Sequence, residues 1–296
     1  MMQRGSVPDG TVAKPRRALM LTVAAMFCFA ANSLLCRLAL APKLLDAATF
    51  TTLRVVSGAA MLCLVVWLQR RGVPRLDRAN PRSVASLFAY FVFFSFAYVR
   101  LDAGAGALIL IGAVQLTMFS VAFWEGERFS ALQWIGLSAA LLGFVYLVLP
   151  GARAPDSLGA VLMTISGIAW GCFSLVARGA SDPVETNAAN LIGCLLPAAV
   201  VNLLAAHDLE ATAAGVILAI ASGGIATGIG YVVWYFALRG LPATHAATVQ
   251  LSIPALVAFG GVGFLSEPLT MRVLVASALL LGGIGLVVHR GQNSLQ

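Results

Sequence analysis

The chain has 296 residues, of which 60 % are hydrophobic and only 10 % charged. Soluble domains carry about 45–50 % apolar and about 25 % charged residues, so a soluble enzyme or binding module is excluded before any motif is read. At about 20 residues per membrane-spanning helix, ten helices take roughly two thirds of the length. The composition is that of an all-α polytopic membrane protein with short connections.

The net charge of +7 comes from basic residues that flank apolar runs, where they set orientation in a bilayer. The partners this implies are lipid and a small-molecule substrate, with no nucleic acid, and no pattern in the chain speaks to oligomeric state. Arg outnumbers Lys seventeen to two, as in proteins of G+C-rich bacteria. Cys28, Cys36, Cys63, Cys172 and Cys194 all lie in apolar runs without C-x-x-C spacing. They read as small buried hydrophobes; neither a disulfide nor a metal site nor a cofactor is expected.

In chain order the predicted spans are 18–39, 48–69, 83–101, 103–123, 131–149, 158–177, 187–205, 213–238, 243–264 and 272–289. Tails occupy 1–17 and 290–296, and a linker covers 150–157. The period-2 alternation of an outer-membrane barrel is absent. With the N-terminus inside, thirteen basic residues fall on the cytoplasmic side and four (Lys43, Arg100, Arg153, Arg272) outside. That bias predicts cytoplasmic termini and an even number of spans. Ala39-Leu40-Ala41 imitates a signal-peptide cleavage site, but the preceding run is too long, is interrupted by Asn32 and Arg37, and is followed by Pro42.

The two halves repeat each other. Phe29, Ser33, Leu34 and Arg37 return as Trp170, Ser174, Leu175 and Arg178, an offset of 141. Phe96 and Arg100 return as Tyr235 and Arg239, an offset of 139, and Glu127-Arg-Phe-Ser130 with Gly143 returns as Glu267-Pro-Leu-Thr270 with Gly283, an offset of 140. Three matches at nearly one offset, in chain order, mark a duplication. Each copy holds five spans, an odd number, so the second copy enters the membrane inverted, as in secondary transporters.

Ten spans, the inverted repeat, and the Glu in Gly126-Glu127-Arg-Phe-Ser130 and in Ser266-Glu267-Pro-Leu-Thr270 resemble the drug/metabolite transporter superfamily, and within it the bacterial EamA-domain branch. The resemblance covers about residues 18–289. It implies an inner-membrane exporter of amino acids, metabolites or toxic cations, resembling bacterial exporters of aromatic amino acids, and a cavity lined by spans three, four, eight and nine with help from one and six. One departure is Pro254, near the middle of predicted span nine, where the repeat places Val114.

Carboxylates sit only in tails, loops and helix ends, so neither a midplane proton relay nor an intramembrane protease is expected, and the chain is not read as an enzyme. Glu127 and Glu267 read as caps of the helices that follow them. Arg37 and Arg54 lie inside apolar runs and read as snorkelling to the outer headgroups; for Arg54 the alternative is a substrate carboxylate. His245 reads as a helix-start residue bonded to loop backbone, with titration near neutral pH as the alternative.

The expected substrate-binding residues are amides and central aromatics. Asn32, Gln115 and Gln250 lie near the centres of spans one, four and nine, where an amide needs a partner helix or a wet pocket. Seven of the eleven residues from Phe88 to Tyr98 are aromatic, with Tyr90, Phe94 and Tyr98 along one helical face. Span eight answers with Tyr231 and Trp234, and span six with Trp170. Trp67, Trp124 and Tyr98 read as interface-belt residues. The walls suit amino acids with aromatic or bulky apolar side chains; toxic organic cations or drugs, held by cation–π contact, are the alternative. The Ser222–Gly230 stretch, with Gly224 and Gly228 as a G-x-x-x-G pair, reads as close helix packing or as a hinge.

Overall fold

The computed structural model describes residues 15–126, 128–151, 154–177, 180–205, 211–238 and 249–293. Glu127, Arg178, Arg239 and His245 lie outside the described residues. The helices are α1 (Pro15–Leu40), α2 (Ala47–Arg70), α3 (Pro81–Tyr98), α4 (Ala103–Trp124), α5 (Ala131–Val148), α6 (Ser157–Val176), α7 (Pro183–Gly193), α8 (Leu195–Leu204), α9 (Ala213–Ile220), α10 (Gly230–Leu238), α11 (Ser252–Leu265) and α12 (Met271–Asn293). Among the described residues the only strand-like pairing is one bridge between Leu45 and Ala211.

The helix starts are written locally. Asp46 accepts from the Thr49 N–H, Asp156 from Gly159, Asp182 from Glu185 and Thr212 from Gly215, each supplying an acceptor to an otherwise orphan donor. Ser130 and Gln133 close a reciprocal capping box on α5. Pro81 and Pro183 occupy first-turn positions where no N–H is required.

Seven stretches are long and apolar enough to cross a membrane: 18–40, 47–70, 103–124, 131–148, 157–176, 183–204 and 213–238; 252–265 and 271–287 form shorter apolar helices. Their outer surfaces leave Trp124, Leu203, Phe264 and Leu196 at least three-quarters exposed, an apolar exterior that water would not tolerate and lipid does. Trp67 and Trp124 are exposed, but Tyr98 is not. It is fully buried, and its hydroxyl donates to the Ala103 carbonyl. The belt reading of Tyr98 is therefore corrected: Gly106, whose missing Cβ leaves room for the ring, makes Tyr98 a packing residue.

Three of the predicted spans are discontinuous. The seventh breaks at Cys194 between α7 and α8, just ahead of Pro197, which has no N–H to continue the ladder. The eighth winds as a π-helix over Ala221–Ile229 between α9 and α10, a rare form concentrated at functional sites. The ninth turns at Leu251, so Pro254 stands in the first turn of α11. Its expected mid-helix position is corrected, because the helix restarts just before the proline.

The repeat is visible in the packing. α3 lies against α6 and α4 against α6; at the offset of about 140 their counterparts are α10 against α1 and α11 against α1, and both pairs are made. α5 and α12 form the tightest pair. Gly143 abuts the Ala276 carbonyl, and the equivalent Gly283 abuts the carbonyl of Gly136, the equivalent of Ala276. One contact thus occurs twice with its partners exchanged, as a pseudo-twofold requires.

Charges collect at the two ends. At one, Arg100 pairs with Asp156, Thr212 bonds to the Leu44 carbonyl and Arg272 bonds to the carbonyls of Tyr146 and Leu149. At the other, the buried Glu185 accepts from Arg70 (3.2 Å), Arg78 (3.1 Å) and the Arg75 N–H (3.2 Å), while Arg70 also pairs with Asp182.

Candidate functional site: an aromatic belt around a buried arginine

Between those ends, rings from both halves form one continuous belt. Tyr90 on α3 lies 4.8 Å from Trp170 on α6, centroid to centroid, and Trp170 lies 5.7 Å from Tyr231 on α10. Phe29 on α1 stands edge-on to Tyr231 (6.1 Å) and Trp234 (5.9 Å). In the other direction Tyr90 meets Phe94 (5.3 Å) and Phe94 meets Tyr98 (4.8 Å). These separations are those of favourable offset and edge-to-face pairs. The belt therefore unites Tyr90, Phe94, Trp170, Tyr231 and Trp234.

Polar groups sit inside it. The Asn32 amide donates to the Tyr90 hydroxyl (3.4 Å), and its oxygen accepts from Ser222 (2.8 Å) at the start of the π-helix. Ser166 on α6 donates to the Tyr90 carbonyl (3.0 Å). The other two amides stand apart. Gln115 is buried on the face of α4 it shares with Ile111, which packs with Trp234. Gln250 is half-buried ahead of α11. No direct contact joins either one to Asn32 among the described hydrogen bonds.

The residue that organises the centre is Arg54. It is the largest fully buried side chain, 1 % exposed, so the expectation that it snorkels to the headgroups is corrected. Its guanidinium carbon lies 4.6 Å from the Phe91 ring, 4.7 Å from Phe94 and 5.3 Å from Tyr90. Nη2 donates to the Tyr90 hydroxyl (3.1 Å) and Nε to Thr227 Oγ1 of the π-helix (3.5 Å). Nη1 is buried without a hydrogen-bond partner, and no Asp or Glu among the described residues pairs with Arg54. In sequence the face of Arg54 is mixed, with Thr51, Ser57 and Gly58 small but Phe50 at i−4 large and apolar, so it does not fix the direction of the side chain. Ser222 and Thr227, also absent from the expected set, lie in the Gly-rich stretch.

That stretch is packed hard against α2. A Cβ on Gly223 would collide with the Arg54 carbonyl and Ser57 Oγ, and one on Gly228 would meet Met61 at 2.9 Å; Gly224 has more room. The close-packing glycines are therefore Gly223 and Gly228, in place of the expected Gly224–Gly228 pair.

Arg37 also departs from its snorkelling expectation. Nε donates to Glu267 (2.9 Å), Nη2 to Asp102 (3.2 Å), and Nη1 to the carbonyls of Tyr98 (3.0 Å) and Val99 (3.3 Å). Glu267 in turn accepts from the Ala103 N–H (2.7 Å). It thus caps α4 in the other repeat and not the helix that follows it, which corrects the capping assignment. Burial raises the Glu267 carboxyl above the usual glutamate range, with Arg37 and the Ala103 N–H pulling it back down. Beside this cluster a cleft of about 190 Å³ is lined by residues including Arg100, Asp102, Gly104, Ala258, Glu267 and Thr270.

Comparison with known proteins agrees with this architecture. The chain is 48 % identical over 274 residues to an uncharacterized protein of Pseudomonas aeruginosa, covering 92 % of this chain and 95 % of that one. It is 24 % identical to an uncharacterized transporter of Archaeoglobus fulgidus (84 % and 91 % covered) and 23 % identical to the uncharacterized transporter YoaV of Bacillus subtilis (79 % and 85 %). A solved crystal structure superposes with a TM-score of 0.68 at 19 % identity over 93 % of this chain and 98 % of that one, and so shares the fold. The model of the EamA-like transporter family matches twice, at residues 16–149 and 157–289. The chain belongs to the EamA-like transporter family, whose members are multi-pass membrane transporters and not enzymes.

Proposed function

We propose that the protein is a secondary transporter of a bacterial inner membrane that exports small metabolites by alternating access, with amino acids bearing aromatic or bulky apolar side chains as its solutes. The observation that carries this reading is the aromatic belt, drawn from α1 and α3 of one half and α6 and α10 of the other, around the Asn32–Tyr90–Arg54 cluster. Rings supply flat apolar walls, and the amide and hydroxyls supply orientation. Gln115 and Gln250 would extend the polar lining when the halves part.

In this reading ten spans form two inverted repeats, 18–149 and 158–289, with both termini cytoplasmic. The thirteen-to-four distribution of basic residues supports that orientation, and the contacts among residues 99–102, 149, 156 and 266–270 at one end support the alternation of the spans. The Arg37–Glu267–Asp102 cluster would then close the periplasmic side and the Glu185 cluster the cytoplasmic side. Opening one while holding the other is the movement an inverted repeat provides. The absence of acidic residues from the belt favours downhill export over proton exchange.

Organic cations, the competing solute class, would meet the uncompensated charge of Arg54 at contact distance, which disfavours them. Full-length protein in proteoliposomes should exchange radiolabelled phenylalanine or leucine above empty vesicles, and should still do so with the pH gradient collapsed. No exchange of either amino acid would sink the proposal.

A further inference from the structure

We infer that Arg54 is the docking point for a carboxylate carried by the transported solute. The inference rests on the transport reading above and names the group by which that solute is recognised.

The chain itself provides the control. Where it uses an arginine structurally, at Arg37, it supplies two carboxylates and two carbonyl oxygens. Arg54 is more deeply buried, yet its hydrogen-bond partners are two neutral hydroxyls, one of them at 3.5 Å. Three ring faces attract the cation but do not neutralise it, and Nη1 has no partner at all. Taking a guanidinium out of water without a counter-charge is costly. A chain that needed only packing at this position would be better served by an apolar residue. A buried cation with an open donor is, by contrast, a preformed half of an ion pair.

The missing half is defined by chemistry. A guanidinium presents planar donors matched to a carboxylate. The rings beside it, Tyr90, Phe91 and Phe94, with Trp170 next to Tyr90, offer apolar surface for the rest of an aromatic or bulky apolar acid. Asn32, Ser222 and Thr227 offer oxygens that can meet an ammonium, so a zwitterion is accommodated, but only the carboxylate cancels the charge of Arg54. The carboxylate is the obligatory feature and the amine is optional. The π-helix touches this arginine directly, with Thr227 bonded to its Nε and Gly223 packed on its carbonyl, so a shift of that segment against α2 would change the surroundings of the guanidinium.

The test is a calorimetric titration of purified full-length protein with three probes that share one ring: 3-phenylpropionate, phenylalanine and phenethylamine. Both carboxylates should bind and the amine should not. Arg54→Gln should weaken both carboxylates at least about tenfold, the scale of a charge-assisted hydrogen bond. Arg54→Lys, which keeps the charge and loses the fork, should fall between, and serves as the readout if the glutamine variant does not fold. Preference for phenethylamine, binding of none of the three, or unchanged carboxylate affinity in a folded variant would overturn the inference. The two readings fail separately. Arg54-dependent binding without vesicle flux would remove the transporter and keep the anion site. Unimpaired phenylalanine flux through the glutamine variant would do the reverse.

Discussion

Arg37 and Arg54 lie seventeen residues apart on consecutive helices, and in sequence they look alike: an arginine in an apolar run, within reach of the same membrane surface. In the fold they are opposites. Arg37, with its side chain 14 % exposed, is saturated by Glu267, Asp102 and two carbonyls. Arg54, deeper and drier, is left with neutral partners and one open nitrogen. A protein closes the valences of an arginine that holds structure together and leaves open those of one that waits for a ligand. The difference lies in the partners and not in the residue.

The largest expected effect falls on the saturated arginine. Arg37→Ala strands Glu267 with its side chain only 12 % exposed and unties the end of α1 from Glu267, Asp102 and the Tyr98 and Val99 carbonyls. Breaking a buried pair from one side costs about 3–5 kcal/mol; with both partners partly exposed we expect about 2–3 kcal/mol, read as a lower Tm in detergent. A Tm equal to that of wild type would show that the cluster is not a structural tie.

Next comes the contact behind Arg54. Gly223→Ala must push the π-helix off the α2 backbone, and overpacking of this kind costs about 1–3 kcal/mol. Exchange in vesicles should fall with it, because Thr227 and Ser222 move with that segment. Unchanged Tm and flux would mean that the two helices separate freely and that the close approach is incidental.

The smallest effect is the pH response of Glu267. Its carboxyl is raised by burial, so the folded protein takes up a proton before an exposed glutamate would. The stability it contributes is fully present below the ordinary glutamate range and is lost as pH rises through the raised value. The Tm of wild type relative to Glu267→Gln should therefore climb as pH falls from neutral toward about 4. The opposite slope would mean that Arg37 outweighs burial.

Much of this was legible in the chain because the signals were local. The offset near 140 matched Gly143 to Gly283, and the fold gives the two equivalent contacts, Gly143 on Ala276 and Gly283 on Gly136; the caps at Asp46, Ser130, Asp156 and Asp182 are of the residue types that start helices, so they too are local in the chain. The central position of Tyr90, Trp170 and Tyr231 followed from counting along apolar runs. What was not legible depends on partners far away in sequence. Glu267 caps α4 across 164 residues, and Tyr98 reads in sequence as a belt residue because Gly106, which makes room for its ring, lies on another helix. Arg54 reads in sequence as snorkelling, with a carboxylate ligand as the alternative, because depth in a run does not say which way a long side chain turns. Pro254 was misplaced because the turn at Leu251 ahead of it carries no strong turn residue.

The contrast between the two arginines is most directly tested by titrating 3-phenylpropionate into Arg37→Gln and Arg54→Gln side by side, with Tm measured on the same samples. Arg37→Gln should melt lower yet keep its affinity within about twofold. Arg54→Gln should melt near wild type, since removing an uncompensated buried charge costs little, while losing at least about tenfold in affinity. Equal losses of affinity in both variants, or retained binding in Arg54→Gln, would contradict it.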